Sequence, residues 1–129
     1  MPIQLEEHGP YYEGDYIDIP HKVVDSAEVA VDLTDATVTF LLKENVTDED
    51  VDALLTKSGT ESGTGDEVTF TDPTNGEATI HIETGDTDGV LTEDTTRFES
   101  DTFYFTIRVT DSSGRRVSTA VGTWEITAS

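Results

Sequence analysis

Phe103, Phe105, Ile107 and Val109 occupy every second position of the segment 101–110, with Tyr104, Thr106 and Arg108 between them. A period of two places all four apolar side chains on one face of a β-strand and scatters them around a helix. The pattern recurs along the chain. Val38, Phe40 and Leu42 alternate with Thr37, Thr39 and Lys43, Leu41 being the exception. Val68 and Phe70 alternate with threonines, and Ala78, Ile80 and Ile82 alternate with Thr79, His81 and Glu83. Ile17 and Ile19 form a shorter set that Pro20 is expected to end. Val29, Val31 and Leu33 read as a further short strand. A last strand is expected over 115–127. There the apolar phase slips by one residue between Val117 and Val121 on one side and Trp124 and Ile126 on the other, which places a β-bulge near Gly122.

Turn chemistry separates these runs. Asp72-Pro73-Thr74-Asn75-Gly76 joins two of them as a hairpin, because Pro73 presets φ and the Asn-Gly pair tolerates positive φ. Asp111-Ser112-Ser113-Gly114 marks another turn. One helix is expected: Thr47 is placed to cap it, Asp48, Glu49 and Asp50 suit its positive end, and Val51, Leu54 and Leu55 fall at i, i+3 and i+4. It would end near Lys57 and Gly59, before an exposed loop over 58–66. A second long polar loop is expected over 84–100. Residues 1–14 read as an arm carrying Tyr11 and Tyr12. Such an arm packs on its own domain or docks on a neighbour, and docking is the favoured reading. About seven short strands, one small helix and closely spaced turn signals define an all-β fold, an antiparallel β-sandwich over 15–129 behind that arm.

With 129 residues, the chain can bury one hydrophobic core without covalent staples. It contains no cysteine, which excludes disulfides, thiolate metal sites and thiol catalysis. The N-terminus has no apolar run of signal-peptide type, so production without export through a signal peptide is expected. No apolar stretch approaches the ~20 residues of a membrane span.

The charge is extreme: 28 acidic residues against 7 basic ones, a formal net charge of −21. Like charges within about 10 Å repel at ordinary ionic strength, whereas at molar salt the screening length falls to about 3 Å. The acids are spread along the whole chain, lysine is confined to Lys22, Lys43 and Lys57, and threonine is abundant. Together these features fit a protein that works in concentrated salt. Binding to nucleic acid or to an anionic membrane surface is electrostatically disfavoured.

Catalytic signatures are absent from the sequence: there is no G-x-S-x-G and no Gly-rich phosphate loop. Gly85-Asp86-Thr87-Asp88-Gly89 resembles part of a calcium loop, but Asp86 and Asp88 alone fall short of the six to eight oxygens such a site needs. Weak or non-specific cation binding is the most that this loop implies, and no cofactor is expected. His8, His21 and His81 are far apart in sequence, and His81 is expected on the outer face of its strand. Arg115 and Arg116 open the last strand. They are read as a docking point for an acidic neighbour or as local charge balance with Asp111.

Three segments carry a family resemblance. They are Asp32-Leu33-Thr34-Asp35-Ala36-Thr37-Val38-Thr39-Phe40, then Thr71 through Ile80, then Phe103–Ile107 followed by Gly114 and Thr123-Trp124-Glu125-Ile126. In this order they resemble the immunoglobulin-like domains of tailed-phage virions, and most of all the N-terminal domain of baseplate upper proteins. Asp35 stands where that family commonly has Gly. The resemblance implies an Ig-like sandwich in a virion structural or accessory subunit, and with the acidity it implies a tailed virus of a haloarchaeal host, assembled in the host cytoplasm at high salt. The implied partners are other virion proteins in multiple symmetric copies, with Tyr11, Tyr12, Arg115 and Arg116 as docking residues, and no enzymatic activity is implied. The alternative function is a host-surface or carbohydrate-binding β-sandwich module.

Overall fold

The computed structural model describes residues 4–12, 16–44, 53–63, 67–83 and 100–127. These form eight strands: β1 (Gln4–Tyr12), β2 (Ile17–Lys22), β3 (Thr37–Lys43), β4 (Leu55–Thr60), β5 (Val68–Asp72), β6 (Glu77–Ile82), β7 (Ser100–Thr110) and β8 (Arg116–Thr127). They make two sheets, one of order β1-β8-β7-β3-β4 and one of order β2-β6-β5. All pairings are antiparallel except β1 with β8, which is parallel. The fold is an all-β sandwich.

The alternating residues fill the space between the sheets. Val38, Phe40 and Leu42 of β3 meet Phe105, Ile107 and Val109 of β7 across the ladder, and all six are buried. Ile17 and Ile19 of β2, with Ala78, Ile80 and Ile82 of β6, supply the opposite wall. Trp124 sits at the centre, edge-on to Phe40 and Phe105 at centroid distances of 5.5 and 6.0 Å, a favourable aromatic geometry.

Five expectations change. The strand from Ile17 does not end at Pro20: it runs on to Lys22, with Pro20 exposed. β2 is an edge strand, so a residue without an N–H is tolerated there. Residues 29–33 form no strand; they cross between the sheets, tied by hydrogen bonds from Val31 N to Val23 O and from Leu33 N to Pro73 O. Val29 is exposed at the tip of a turn that Asp25 closes by accepting from the amides of Ala27 and Val29.

The third change is the helix. Its expected C-terminal part is strand β4, paired with β3 from Leu42↔Leu55 to Thr37↔Thr60. Residues 45–52 lie outside the described residues. The inward positions of β4 are Leu55, Lys57 and Gly59, which carry little apolar signal. Lys57 is buried, 3.9 Å from Glu67, and Glu67 also accepts from the Ser58 amide. A Cβ on Gly59 would stand 2.9 Å from Val68 Cβ, so glycine lets β4 and β5 close one flank of the sandwich.

Fourth, the bulge is at Thr119 and not near Gly122. Ile107 pairs with Ala120 and Arg108 with Ser118, leaving Thr119 as the extra residue. The bulge turns Thr119 inward, where it is 1% exposed. Fifth, of the two readings of residues 1–14, packing on its own domain or docking on a neighbour, the structure shows the first for Gln4–Tyr12: it is β1, in register with β8 from Gln4↔Ala120 to Tyr12↔Thr127.

The expected hairpin is present. β5 and β6 are joined by a 3-10 turn, Pro73–Asn75, and Gly76 takes φ 75°. Asp35 also lies in the left-handed region, at φ 59°. An L side chain is disfavoured in this backbone conformation, which glycine adopts readily.

Candidate functional site

The outer faces of the two sheets differ in chemistry. On the three-stranded sheet, alternation turns Asp18, Pro20 and Lys22 of β2 outward, beside His81, Thr79 and Glu77 of β6. Thr69 of β5 completes the row, next to Thr79. Asp18, His81 and Thr69 are joined by two short hydrogen bonds: His81 Nδ1 to Asp18 Oδ1 at 2.7 Å, and His81 Nε2 to Thr69 Oγ1 at 2.7 Å. A carboxylate only accepts, so Nδ1 carries the proton. In the neutral ring Nε2 then accepts from the Thr69 hydroxyl. Tyr16 stacks on His81 at 6.5 Å and points its hydroxyl at the same corner. The His81 hydrogen bond holds the Asp18 carboxyl below its ordinary range, helped by the Tyr16 hydroxyl against partial desolvation. The Tyr16 phenol is raised by desolvation and by its bond to Asp18.

This row has the hydrogen-bond order of an acid, a base and a hydroxyl nucleophile. Thr69 lies on an open sheet face at the start of an irregularity in β5 between Thr69 and Asp72, and two hollows among the described residues lie elsewhere. The first, of about 230 Å³, is floored by Phe105 and Gly122 on the other sheet. The second, of about 400 Å³, lies between Val31, Asp32, Asp111 and Arg115 at one end of the sandwich. The row ties three strands together and presents a polar surface.

On the five-stranded sheet the outward residues of β3 are Thr37, Thr39, Leu41 and Lys43, the last two buried all the same, and those of β4 are Thr56, Ser58 and Thr60. Those of β7 with described side chains are Tyr104, Thr106, Arg108 and Thr110, and β8 adds Arg116, Val121 and Thr123 opposite them. Among these positions there is no carboxylate. Glu125, near the end of β8, is the one acid at an outward position of these four strands among the described side chains. Lys43, Arg108 and Arg116 are three of the chain's seven basic residues. Hydroxyl pairs cover much of the rest: Thr37 with Thr60 at 2.8 Å and Thr39 with Ser58 at 3.2 Å.

The residues singled out in the sequence fall as follows. Arg115 is exposed and its Nε lies 3.3 Å from Asp111 Oδ2, which is the local charge balance. Asp111 also accepts from the Ser113 hydroxyl and from the amides of Ser113 and Arg115. These bonds, led by the Ser113 hydroxyl, hold its carboxyl down at about 2. Arg116 is exposed, opposite Thr110. Tyr11 and Tyr12 pair through their backbones with Ile126 and Thr127 at the end of the β1–β8 ladder. Asp86 and Asp88 lie outside the described residues. Of the three histidines, His8 is on β1, His81 is on the outer face as expected, and His21 points into the core. Among the described residues no three His, Asp or Glu side chains converge as metal ligands.

Reasoning from the sequence missed the carboxylate-free face. The signal was present as a run of threonines at alternate positions of β3, β4 and β7, but only strand order shows that they share one surface. Comparison with protein families and with curated proteins returns no match.

Proposed function

We propose that this chain is a non-enzymatic structural or accessory subunit of a tailed virus of a haloarchaeal host, acting through protein–protein assembly. One observation carries the reading. At the outward positions of β3, β4, β7 and β8 with described side chains, a chain of net charge −21 places no acid but Glu125. In concentrated salt an exposed surface stays soluble through its carboxylates. Leu41 and Lys43 of this face are already buried within the chain, and the part left open around Tyr104 and Arg116 is suited to being covered by a neighbouring subunit.

Strand order supports an immunoglobulin-like reading of the sandwich. The order β2-β6-β5 against β8-β7-β3-β4 corresponds to strands B-E-D against G-F-C-C′ of that architecture, with β1 as an A′ strand beside G. Such domains serve many functions, so the fold alone does not decide among them. A sugar-binding module would display aromatic platforms at its loops. Among the described side chains the exposed tyrosines, Tyr16 and Tyr104, lie beside or on sheet faces, and Tyr16 is stacked on its own His81.

The test is mass spectrometry of purified tailed particles from a halophilic host that encodes this chain, with immunogold labelling to locate it. Stoichiometric, repeated labelling at capsid, neck, tail or baseplate is the expected result. Its absence from intact particles, with abundance only in the host cell fraction, would overturn the reading.

A further inference from the structure

We infer that Thr69 is an acyl-acceptor site: with His81 as its base and Asp18 behind the imidazole, its hydroxyl takes the acyl group of an activated ester, an aryl ester or a thioester, and carries it as a surface modification. The inference does not depend on the assembly reading above.

Geometry argues for this role. Three strands each supply one residue. Asp18 and His81 stand directly opposite across β2 and β6, and Thr69 reaches the far side of the imidazole from β5. A base within hydrogen-bond reach of a hydroxyl, and itself oriented by a third group, is the arrangement that activates a hydroxyl nucleophile. Both bonds are 2.7 Å long. Because Nδ1–H is committed to Asp18, the Nε2 lone pair of the neutral ring is left for the Thr69 proton. The stacked ring of Tyr16 helps to hold the imidazole in that orientation. The Tyr16 phenol itself is raised above its ordinary range, chiefly by desolvation, so it competes poorly as a nucleophile.

Access singles out Thr69. It is exposed, whereas the other histidine–threonine pair among the described residues, His21 with Thr119, is closed to solvent. Elsewhere threonine hydroxyls bond to other hydroxyls, as Thr37 does to Thr60, or to a carboxylate, as Thr34 does to Asp32. A carboxylate is a weaker base than an imidazole.

The step balances without an oxidant or a metal. Thr69 Oγ1 attacks the acyl carbon as its proton passes to His81 Nε2, and a new C–O bond forms. The bond to the leaving oxygen or sulfur then breaks, and the leaving group takes the proton from Nε2. The products are a threonyl ester and one alcohol or thiol. On an open sheet face nothing holds a second substrate in place, so the step is one transfer per chain. General-base help contributes roughly 10²–10⁴-fold, so Thr69 should be acylated about 100-fold faster than other exposed threonines.

The test is p-nitrophenyl acetate added to the full chain in molar KCl, with peptide mass spectrometry following acetylation residue by residue. Thr34, Thr56 and Thr60, all exposed, serve as comparators in the same molecule. Thr69 is expected to be modified far ahead of them. Thr69→Ser should keep the modification at that position, and Thr69→Val should abolish it while leaving the comparators unchanged. His81→Gln should bring Thr69 down to the comparator rate. Asp18→Asn should slow it as well, because an amide facing Nδ1 can donate and so favours the tautomer with the proton on Nε2. Circular dichroism and melting in the same buffer confirm that each variant is folded, so the ratio within one molecule reports the base and not the fold. Equal rates at all exposed threonines of the wild type would overturn the inference. So would modification of Thr69 that survives His81→Gln, or nitrophenol release that requires His81 and leaves no ester on Thr69.

Discussion

His21 on β2 and Thr119 on β8 meet inside the core, with Nε2 2.9 Å from Oγ1, so a hydrogen bond joins the two sheets at a site closed to solvent. The Thr119 hydroxyl donates to the Ile107 carbonyl at 3.3 Å. Its single proton is thereby used, and the bond to His21 must be donated by the imidazole Nε2–H. The bulge and the histidine depend on each other: without the extra residue in β8, the register would turn a threonine here away from His21.

Thr119→Val keeps the volume and removes the acceptor. It should lower stability by about 1–3 kcal/mol, the cost of leaving a buried donor unmet. His21→Leu should cost a similar amount. The double variant should lose less than the sum of the two, by about 1 kcal/mol, in denaturant titrations. Strict additivity would show that the two side chains do not act on each other.

Two backbone positions with positive φ should respond in opposite directions. Asp35→Gly relieves a left-handed conformation that costs an L residue about 1–2 kcal/mol, partly offset by the greater freedom of glycine in the unfolded chain. A gain of up to about 1 kcal/mol is expected. Gly76→Ala combines the same backbone penalty with a Cβ 2.5 Å from Val23 O and 2.9 Å from Val31 O. It should cost about 2–4 kcal/mol and loosen the crossing segment that hangs on this turn. Thermal melts of the two variants check both signs.

Asp111 makes a contribution that depends on pH. Its carboxyl is held at about 2 in the folded chain against an ordinary 3.8, so folding favours the charged form. The stabilisation is complete above about pH 4 and disappears as the pH falls through about 2. Asp111→Asn should therefore be less stable than wild type near neutrality, with the difference shrinking in acid. Carboxyl NMR titration should place the Asp111 midpoint at about 2. A midpoint near 4 would mean that the turn is not held by this carboxylate in solution.

Net charge sets the response to salt. At −21, repulsion opposes compaction over a screening length of about 10 Å at 0.1 M salt and only about 3 Å at 1 M. The melting temperature should climb with KCl toward molar concentrations by on the order of 10 °C, a shift that corresponds to a few kcal/mol. A melting temperature indifferent to salt would remove the argument that the surface is built for brine.

What could be read from the residues was whatever alternates in apolarity. β3, β7 and the β5–β6 hairpin carry Val, Phe, Ile or Leu at inward positions, and their polar neighbours mark the other face. What was hidden was every inward position filled by something else. β4 turns Lys57 and Gly59 inward, so Leu54 and Leu55 looked like a helical pair with Val51. β2 passes through Pro20, tolerated because β2 is an edge strand, and its next inward residue is His21, so nothing apolar marked the continuation. The bulge at Thr119 places a threonine in the core, where hydropathy does not count it, and the slip in phase was assigned to the nearest glycine. The surface follows the same rule. His81 could be placed on an outer face from its own strand, but Asp18 and Thr69 come from other strands, and only the pairing register brings them to it.

Because β1 and β8 run in the same direction, the two ends of the ladder lie at opposite ends of the molecule, with Gln4 beside Ala120 and Tyr12 beside Thr127. Tension applied between the start of β1 and the end of β8 would not peel these strands apart one bond at a time. It would slide them along each other and load the ladder on both sides of the irregularity between His8 and Tyr11 at once. The sandwich is thus geared to bear a pull along its length, as a link in a chain does, and to yield far more readily to a force that lifts β1 sideways.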